Sequence, residues 1–321
     1  MTKAPGKSYR EGVSLVEIVS MFGDEDKART WIEDKRWPDD PYCPHCGSRK
    51  IKVGSTHKSM THRCNDCKKM FSVKVGTCMQ SSKLSYQTWA IAIYLLTTNL
   101  KGVSSMKLHR DLKITQKSAW FLLQRLRLSY EDGYNPFSGP VEVDETYMGG
   151  KRKNMPKAKR KALKGRGAVG KVAVVGAKDR ATNRVVAKPV ASTDGKTLKA
   201  FAEGVSDEEA QVFTDDAAAY QGIARDHDSV CHSVGEYVRG QAHTNGIESF
   251  WAMLKRGHSG TYHKISPKHL ARYIAEFAGR HNDRNNDTFD QMGGIVEGMN
   301  GKRLCYVDLI ADNGLPNGAR N

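Results

Sequence analysis

Apolar residues at the start of the chain recur with helical spacing. Val13, Leu15, Val16, Ile18, Val19 and Phe22 form one cluster. GDEDKARTWIEDKRW follows with acids in its opening turn, where a helix N-terminus favours them, and Pro38 and Pro41 stop it. Ile51 and Val53 alternate with lysines in strand fashion. From Ser85 to about Tyr130 the pattern is helical throughout. YQTWAIAIYLLTT is an apolar helix, and Ser104 and Ser105 open a short helix ending near Leu112. Lys113, Ile114 and Thr115 make a turn, and Gln116 to Arg127 form a second helix with Ala119, Leu122, Leu123 and Leu126 on its inner side. The rhythm predicts a helix-turn-helix that presents Gln116, Lys117, Gln124 and Arg125 outward; a plain helical bundle is the alternative.

After GYNPFSGP, a turn-rich linker, the period changes. PVEVDETYMGG reads as a strand ending in acids and a double glycine. KVAVVGAKD and NRVVAKPV read as two strands joined by a turn at Ala181 to Asn183, and DGKTLKAFAEGV as a helix with Asp194 near its cap. QVFTDD is another strand ending in acids, AAAYQGIA a short helix, and DSVCHSVGEYV a β-prone stretch. NGIESFWAMLKRG and PKHLARYIAEFAGRHNDRN are amphipathic helices. This order predicts a mixed α/β layer whose early strands form a meander.

Composition narrows the class of partner. A formal net charge of +16 over 321 residues favours a polyanion, through phosphate neutralisation and counterion release. Nothing reads as a membrane span or a secretory leader. Of seven cysteines, Cys78, Cys231 and Cys305 stand apart and predict ordinary thiols rather than a disulfide framework. The basic run from Lys151 to Lys171 holds ten Lys or Arg and no acid. It predicts a mobile solvated loop, with Lys151, Arg152 and Lys153 as candidate phosphate contacts.

The other four cysteines form two C-x2-C knuckles, Cys43 and Cys46 in YCPHCG and Cys64 and Cys67 in RCNDC, seventeen residues apart. Two pairs at this spacing predict a tetrahedral zinc site of ribbon type, closed by four thiolates and therefore structural. His45, His57 and His62 are expected at the surface. A zinc ribbon beside a helix-turn-helix in a basic chain points to double-stranded DNA.

Acids at strand ends supply the candidate chemistry. Asp144 lies in VEVDET, Asp215 in VFTDD, and Glu248 near the start of a helix. Ends of neighbouring strands converge at one sheet edge, and a helix across the sheet can bring its first turn to the same point. Three carboxylates there repel one another unless cations sit among them. Oxygen-only ligands suit Mg²⁺ or Mn²⁺, and two such ions can drive displacement at a phosphodiester. Glu142 and Glu145 compete with Asp144, and Asp216 with Asp215. Glu142, Asp144 and Thr146 share one face of the strand, but spacing does not say which face holds the metal. Lys255 stands seven positions after Glu248 on the same helix face, with Trp251 between them.

Taken together, CPHCG…CNDC, KGVSSMKLHRDLKITQKSAWFLLQRLR, VEVDETYMGGKRKN, VFTDDAAAY, HTNGIESFWAMLKRG with its continuation to HNDRN, and GKRLCYVDLI resemble the DDE transposases of bacterial insertion sequences, in the ISXO-type group with an N-terminal zinc ribbon. The resemblance runs roughly from residue 37 to 310. It implies an RNase H-like catalytic domain that cleaves element ends and joins the freed 3′-hydroxyl to target DNA. It also implies Asp144, Asp215 and Glu248 as the acids, with Lys255 in the accessory basic position. The expected divisions are a helical segment (1–36), a zinc ribbon (37–80), a helix-turn-helix domain (81–132), a linker (133–140), the catalytic domain (141–300) and a tail (301–321). Cysteine usage fits a reducing compartment, so a cytoplasmic, nucleoid-associated protein is expected, and a dimer or larger assembly follows from the reaction, since two ends must be joined. A non-catalytic DNA-binding regulator and a nuclease that cuts without joining are the rival readings.

Overall fold

The computed structural model describes residues 11–57, 59–131, 133–150, 152–165, 167–215, 218–230 and 243–316. The chain divides into two compact units, residues 1–132 with 283–311, and residues 133–282 with 312–321. Lys151, Asp216 and Cys231, each singled out in the sequence, lie outside the described residues.

The first unit begins with α1 (Leu15–Met21) and α2 (Glu25–Arg36). Ser14 and Glu17 close a capping box on α1, and Asp24 accepts from the Lys27 N–H to start α2. Three short antiparallel strands follow in the order β1 (Ile51–Val53), β2 (His62–Cys64), β3 (Met70–Phe71). Helices α3 (Tyr86–Thr98), α4 (Ser105–Leu112) and α5 (Gln116–Leu128) are each capped by a Ser or Thr side chain. The expected turn at Lys113 to Thr115 joins α4 to α5, with Lys113 in the left-handed region. Ile18, Ile32, Cys43, Cys64, Phe71, Trp89 and Leu122 belong to one apolar core. The segment before residue 37, the ribbon and the helices therefore fold as a single body rather than as successive domains.

The second unit is built on a five-stranded sheet of β4 (Val141–Met148), β5 (Val172–Asp179), β6 (Val185–Val190), β7 (Gln211–Asp215) and β8 (Asp226–Val230). Its order is β6-β5-β4-β7-β8. β4 pairs antiparallel with β5 and β5 with β6, whereas β4–β7 and β7–β8 are parallel. Pro189 sits in β6, at the sheet edge, where a missing N–H is tolerated. The basic run is more structured than expected. It forms a 3-10 turn (Arg152–Asn154) and α6 (Lys157–Ala162), and the Arg152 guanidinium folds back onto the carbonyls of Arg160, Leu163 and Gly165.

Helix α7 (Gly195–Val205), capped by Asp194, shares one core with Val141, Val143 and Val212 on one side of the sheet. Helices α8 (Asn245–Gly257) and α9 (Leu270–Asn282) share the other with Met148, Val174 and Val185. The period of two along β4 thus assigns Glu142, Asp144 and Thr146 to the α8 side. The expected helix at AAAYQGIA shortens to one 3-10 turn (Ala218–Tyr220).

The sheet unit ends at Asn282, not at residue 300 as expected. Helices α10 (Thr288–Gly298) and α11 (Tyr306–Ile310) belong to the first unit. Met292, Ile295, Val296, Met299, Leu304 and Leu309 complete its core. The Cys78 N–H donates to the Met299 carbonyl and the Gly301 N–H to the Gly76 carbonyl. Helical amphipathicity alone does not tell a segment which core to join, so the boundary was not legible in the pattern.

Candidate active site and metal-binding groups

The four thiols of the first unit lie on two tight turns. Cys43 Sγ is 3.6 Å from Cys67 Sγ, and Cys46 Sγ is 3.7 Å from Cys64 Sγ. Zn–S bonds of about 2.3 Å in a tetrahedron separate sulfurs by roughly 3.8 Å, so the set fits zinc. All four sulfurs fall within 4.8 Å of one another. Backbone N–H groups of His45 and Cys67 point at Cys43 Sγ and Cys64 Sγ. The Cys67 N–H is the main cause that draws the Cys64 thiol down to about 6, toward the thiolate a metal requires. His45 and His57 are exposed, but His62 is not the surface histidine expected: it is buried and stacked on Phe71 at 5.2–5.3 Å from Trp37 and Phe71 ring centres.

In the second unit, β4 and β7 run parallel with Val141 opposite Val212 and Glu142 opposite Phe213. The same offset carried forward sets Asp144 beside Asp215, both on the α8 side. Glu248 lies in the first turn of α8 and is exposed, and its Oε1 accepts from Thr244 Oγ1 at 3.1 Å. Burial raises the Asp144 carboxyl to about 6, and the charges of Asp215 and Glu248 push it in the same direction. Asp144 thus stands close enough to Asp215, 71 positions on, and to Glu248, 104 positions on, for both charges to act on it. Among the described residues, the four cysteines are the one group of three or more His, Cys, Asp or Glu gathered closely enough to hold a metal ion, and the three acids do not form such a group.

Trp251, one turn after Glu248, donates its indole N–H to Asp144 Oδ2 at 3.0 Å. The edge of the indole packs against Gly176 of β5, the residue opposite Asp144; a Cβ there would stand 2.5 Å from the ring. Glu145, on the other side of β4, accepts from the Tyr220 hydroxyl at 2.7 Å. Burial lifts the Glu145 carboxyl to about 7 despite that bond, with Asp215 and Asp144 adding to the rise. Burial and the Glu145 charge push the Tyr220 phenol up as well. Sequence reasoning weighed Glu145 but did not see Tyr220, and it noticed Trp251 only as a spacer. The i, i+3 spacing of Glu248 and Trp251 on one helix face was the available signal. Lys255 is exposed on α8, two turns beyond Glu248.

The candidate nucleic-acid contacts divide. Gln116 and Lys117 are exposed at the start of α5, with Gln116 Nε2 on Ser105 Oγ at 3.0 Å and Lys117 Nζ 4.4 Å from the Tyr306 ring centre. Gln124 and Arg125 do not face outward as expected: their relative exposures are 0% and 8%. Arg125 Nε donates to the Leu304 carbonyl at 3.2 Å, and its guanidinium covers the Phe121 ring. The cause is the returning C-terminal segment, which covers a helix face that looks solvent-directed in isolation. Lys153 is exposed, while Arg152 is occupied with loop carbonyls.

Residues 136–282 match the ISXO2-like transposase domain, and residues 23–70 match the transposase zinc-ribbon domain. The first match ends where the sheet unit ends. The second begins two residues before α2 and takes in the whole helix, consistent with a ribbon that shares its core with it. The chain is also 27% identical over 271 residues to an uncharacterized protein in transposable element ISH50 of Halobacterium salinarum, across 81% of this chain and 91% of that relative. None of the described helices is long and apolar enough to cross a membrane.

Proposed function

From a chain that carries the transposase zinc-ribbon domain and the ISXO2-like transposase domain, we propose a DNA transposase that binds the terminal inverted repeats of an insertion sequence. It cleaves their 3′ ends and transfers the strands to target DNA with Mg²⁺ or Mn²⁺. The observation that carries this reading is geometric: the parallel β4–β7 register sets Asp144 beside Asp215, and Trp251 of α8, one turn after Glu248, donates to Asp144. A carboxyl lifted to about 6 by burial and like charge is a standing repulsion that divalent cations would relieve. The all-oxygen donor set suits a hard cation. The strand order, with β5 alone running against the others of the sheet, supports an RNase H-like assignment.

When bound, the two cations would supply an activated water or 3′-hydroxyl and neutralise charge on the leaving oxygen. The chain's own part is positional. Asp144 and Asp215 hold their places through the sheet, Trp251 fixes the Asp144 rotamer, and Thr244 holds Glu248. Lys255 would meet a phosphate along α8. No protein nucleophile is needed, so catalysis rests on alignment.

In the first unit, four thiolates would hold one structural zinc. The α4–α5 pair would act as a helix-turn-helix, with Gln116 and Lys117 at the DNA-facing start of α5. Lysines of the basic run would contribute phosphate contacts, Lys153 ahead of Arg152. Two ends in one reaction call for at least a dimer on DNA in the cytoplasm.

The test uses the full chain, zinc-loaded, with duplexes carrying the terminal repeats that flank its own coding element. Mg²⁺-dependent 3′-end cleavage and joined product are expected from the wild type. Asp144→Asn and Glu248→Gln are each expected to lower cleavage by at least ~10³-fold, with end binding within about threefold. A wild type that binds ends and never cuts them would support a regulator, and cutting without joined product a nuclease. Strand transfer surviving Asp144→Asn would refute the metal site.

A further inference from the structure

Glu142 lies on β4 two residues before Asp144 and is 1% exposed. It is a buried carboxylate to which the proposed chemistry gives no role. Its Oε1 pairs with Arg180 Nε at 2.8 Å and lies 3.3 Å from His243 Nδ1. Its Oε2 accepts from the Ile247 N–H at 2.9 Å. Ile247 is the third residue of α8 and stands immediately before Glu248. The N-cap of α8, Thr244, makes no side-chain bond to the helix backbone; its hydroxyl goes to Glu248 instead. An N–H that a local Ser, Thr or Asp would ordinarily cap is thus capped across space by a strand residue.

The contacts around it form a clamp. Arg180 Nη2 donates to the His243 carbonyl at 2.6 Å, on the residue preceding the N-cap. Lys178 Nζ reaches the Gly246 carbonyl at 3.5 Å. Gly246 has no room for a side chain: a Cβ would stand 2.6 Å from Glu142 Oε2 and 3.0 Å from the Lys178 chain. The start of α8 is therefore pressed against β4 and β5 at one point, through one carboxylate and two cations. A buried ion pair is a poor way to gain stability, because desolvation consumes most of the attraction. It is a good way to fix geometry, since the bonds are short and directional.

We propose that Glu142, held by Arg180, is the positioning residue that sets the depth and rotation of α8, and so delivers Glu248 to Asp144 and Asp215. The proposal rests on the acid cluster being the cation site, but the clamp itself has a readout that does not depend on activity.

Glu142→Gln keeps shape and one acceptor while removing the charge that Arg180 holds. Gly246→Ala removes no charge and pushes the helix start away from Glu142. Both are made in the full, zinc-loaded chain. Amide hydrogen exchange over residues 244–250 is expected to rise at least ~10-fold in both variants, against an unchanged rate in α9. Half-saturating Mn²⁺, read by electron paramagnetic resonance of the free ion and by end cleavage, is expected to rise ~10-fold or more, with end-DNA affinity within about threefold. Arg180→Met is expected to match Glu142→Gln, with the double variant no worse than either single one. Unchanged exchange in either variant overturns the clamp. Faster exchange with wild-type Mn²⁺ dependence reduces Glu142 to a helix cap and overturns the positioning role. A wild type that neither binds Mn²⁺ at the acids nor cleaves ends defeats the functional reading; exchange over 244–250 then still decides the clamp.

Discussion

The two units hold their candidate metal ligands in opposite ways. In the first, four sulfurs come from two C-x2-C turns within 25 residues of chain, and they already stand 3.6–3.7 Å apart in pairs. In the second, three carboxylates come from two strands and a helix spread over 105 positions; burial raises the Asp144 carboxyl to about 6, and the charges of Asp215 and Glu248 add to the rise. Thiols at knuckle spacing are gathered by local turns. Acids are gathered by the whole sheet, and they resist it, because like charges in a half-buried site repel until a cation joins them. One site is a local staple for folding, the other a strained product of folding.

If that contrast is right, removing the staple should do the most damage. Cys64→Ser, or a strong chelator, is expected to abolish zinc binding and unfold the first unit as a whole, since Cys43 and Cys64 sit in the same core as α1 to α5. Structural zinc contributes on the order of 10 kcal/mol in small domains. Calorimetry should lose one transition and keep that of the sheet unit. Survival of α3 to α5 after zinc loss, seen as protected amides, would break the idea of one shared core.

The second way to sharpen the comparison is at the far end of the chain. A chain ending at Asn282 keeps the five-stranded sheet with α7 to α9, sheds residues 312–321 of that unit, and loses α10 and α11. Six buried apolar side chains leave the first core with them, Met292, Ile295, Val296, Met299, Leu304 and Leu309. At roughly 1.5–3 kcal/mol each, their loss approaches the whole stability of a domain. End-DNA binding is expected to fall by more than ~100-fold, while the sheet unit melts as before. Intact DNA binding by the truncated chain would show that the returning segment is dispensable.

The smallest effect is electrostatic. The folded-state pKa of Asp144 is raised, so its contribution favours folding at low pH and is lost as pH climbs from about 4 through about 6. Glu145 acts in the same sense up to about 7. Without divalent cations, the sheet unit should lose about 1–1.5 kcal/mol from Asp144 and about 2–3 kcal/mol from Glu145 between pH 5 and 8. His227 and His258, whose pKa burial lowers, work against it, gaining stability as pH rises toward 6.5. The increment in Tm from added Mn²⁺ separates the two. It should grow by several degrees from pH 5 to pH 8 in the wild type and stay flat in Asp144→Asn. A wild-type increment independent of pH would place the bound ion elsewhere.

How much of this was readable in advance varies with the range over which each feature is decided. The α4–α5 pair and its turn came out within a residue of expectation, because serine and threonine caps and the apolar rhythm act within a few positions. The short helix at AAAYQGIA contracted to a single turn. Gln124 and Arg125 were expected outside and lie inside; the carbonyl that holds Arg125 belongs to Leu304, 179 positions away. Nothing in the local pattern around α5 records that cover.

The amino-acid order by itself determined the zinc knuckles, the caps, the alternation of strands and helices, and the three acids as candidates. These depend on neighbours along the chain. Tertiary structure alone decided which face of β4 bears the acid cluster, that Trp251 and Glu142 tie α8 to that face, and that the C-terminal helices complete the first core. Each of those is a contact between distant segments, fixed by packing and by the pairing of buried polar groups rather than by any local preference.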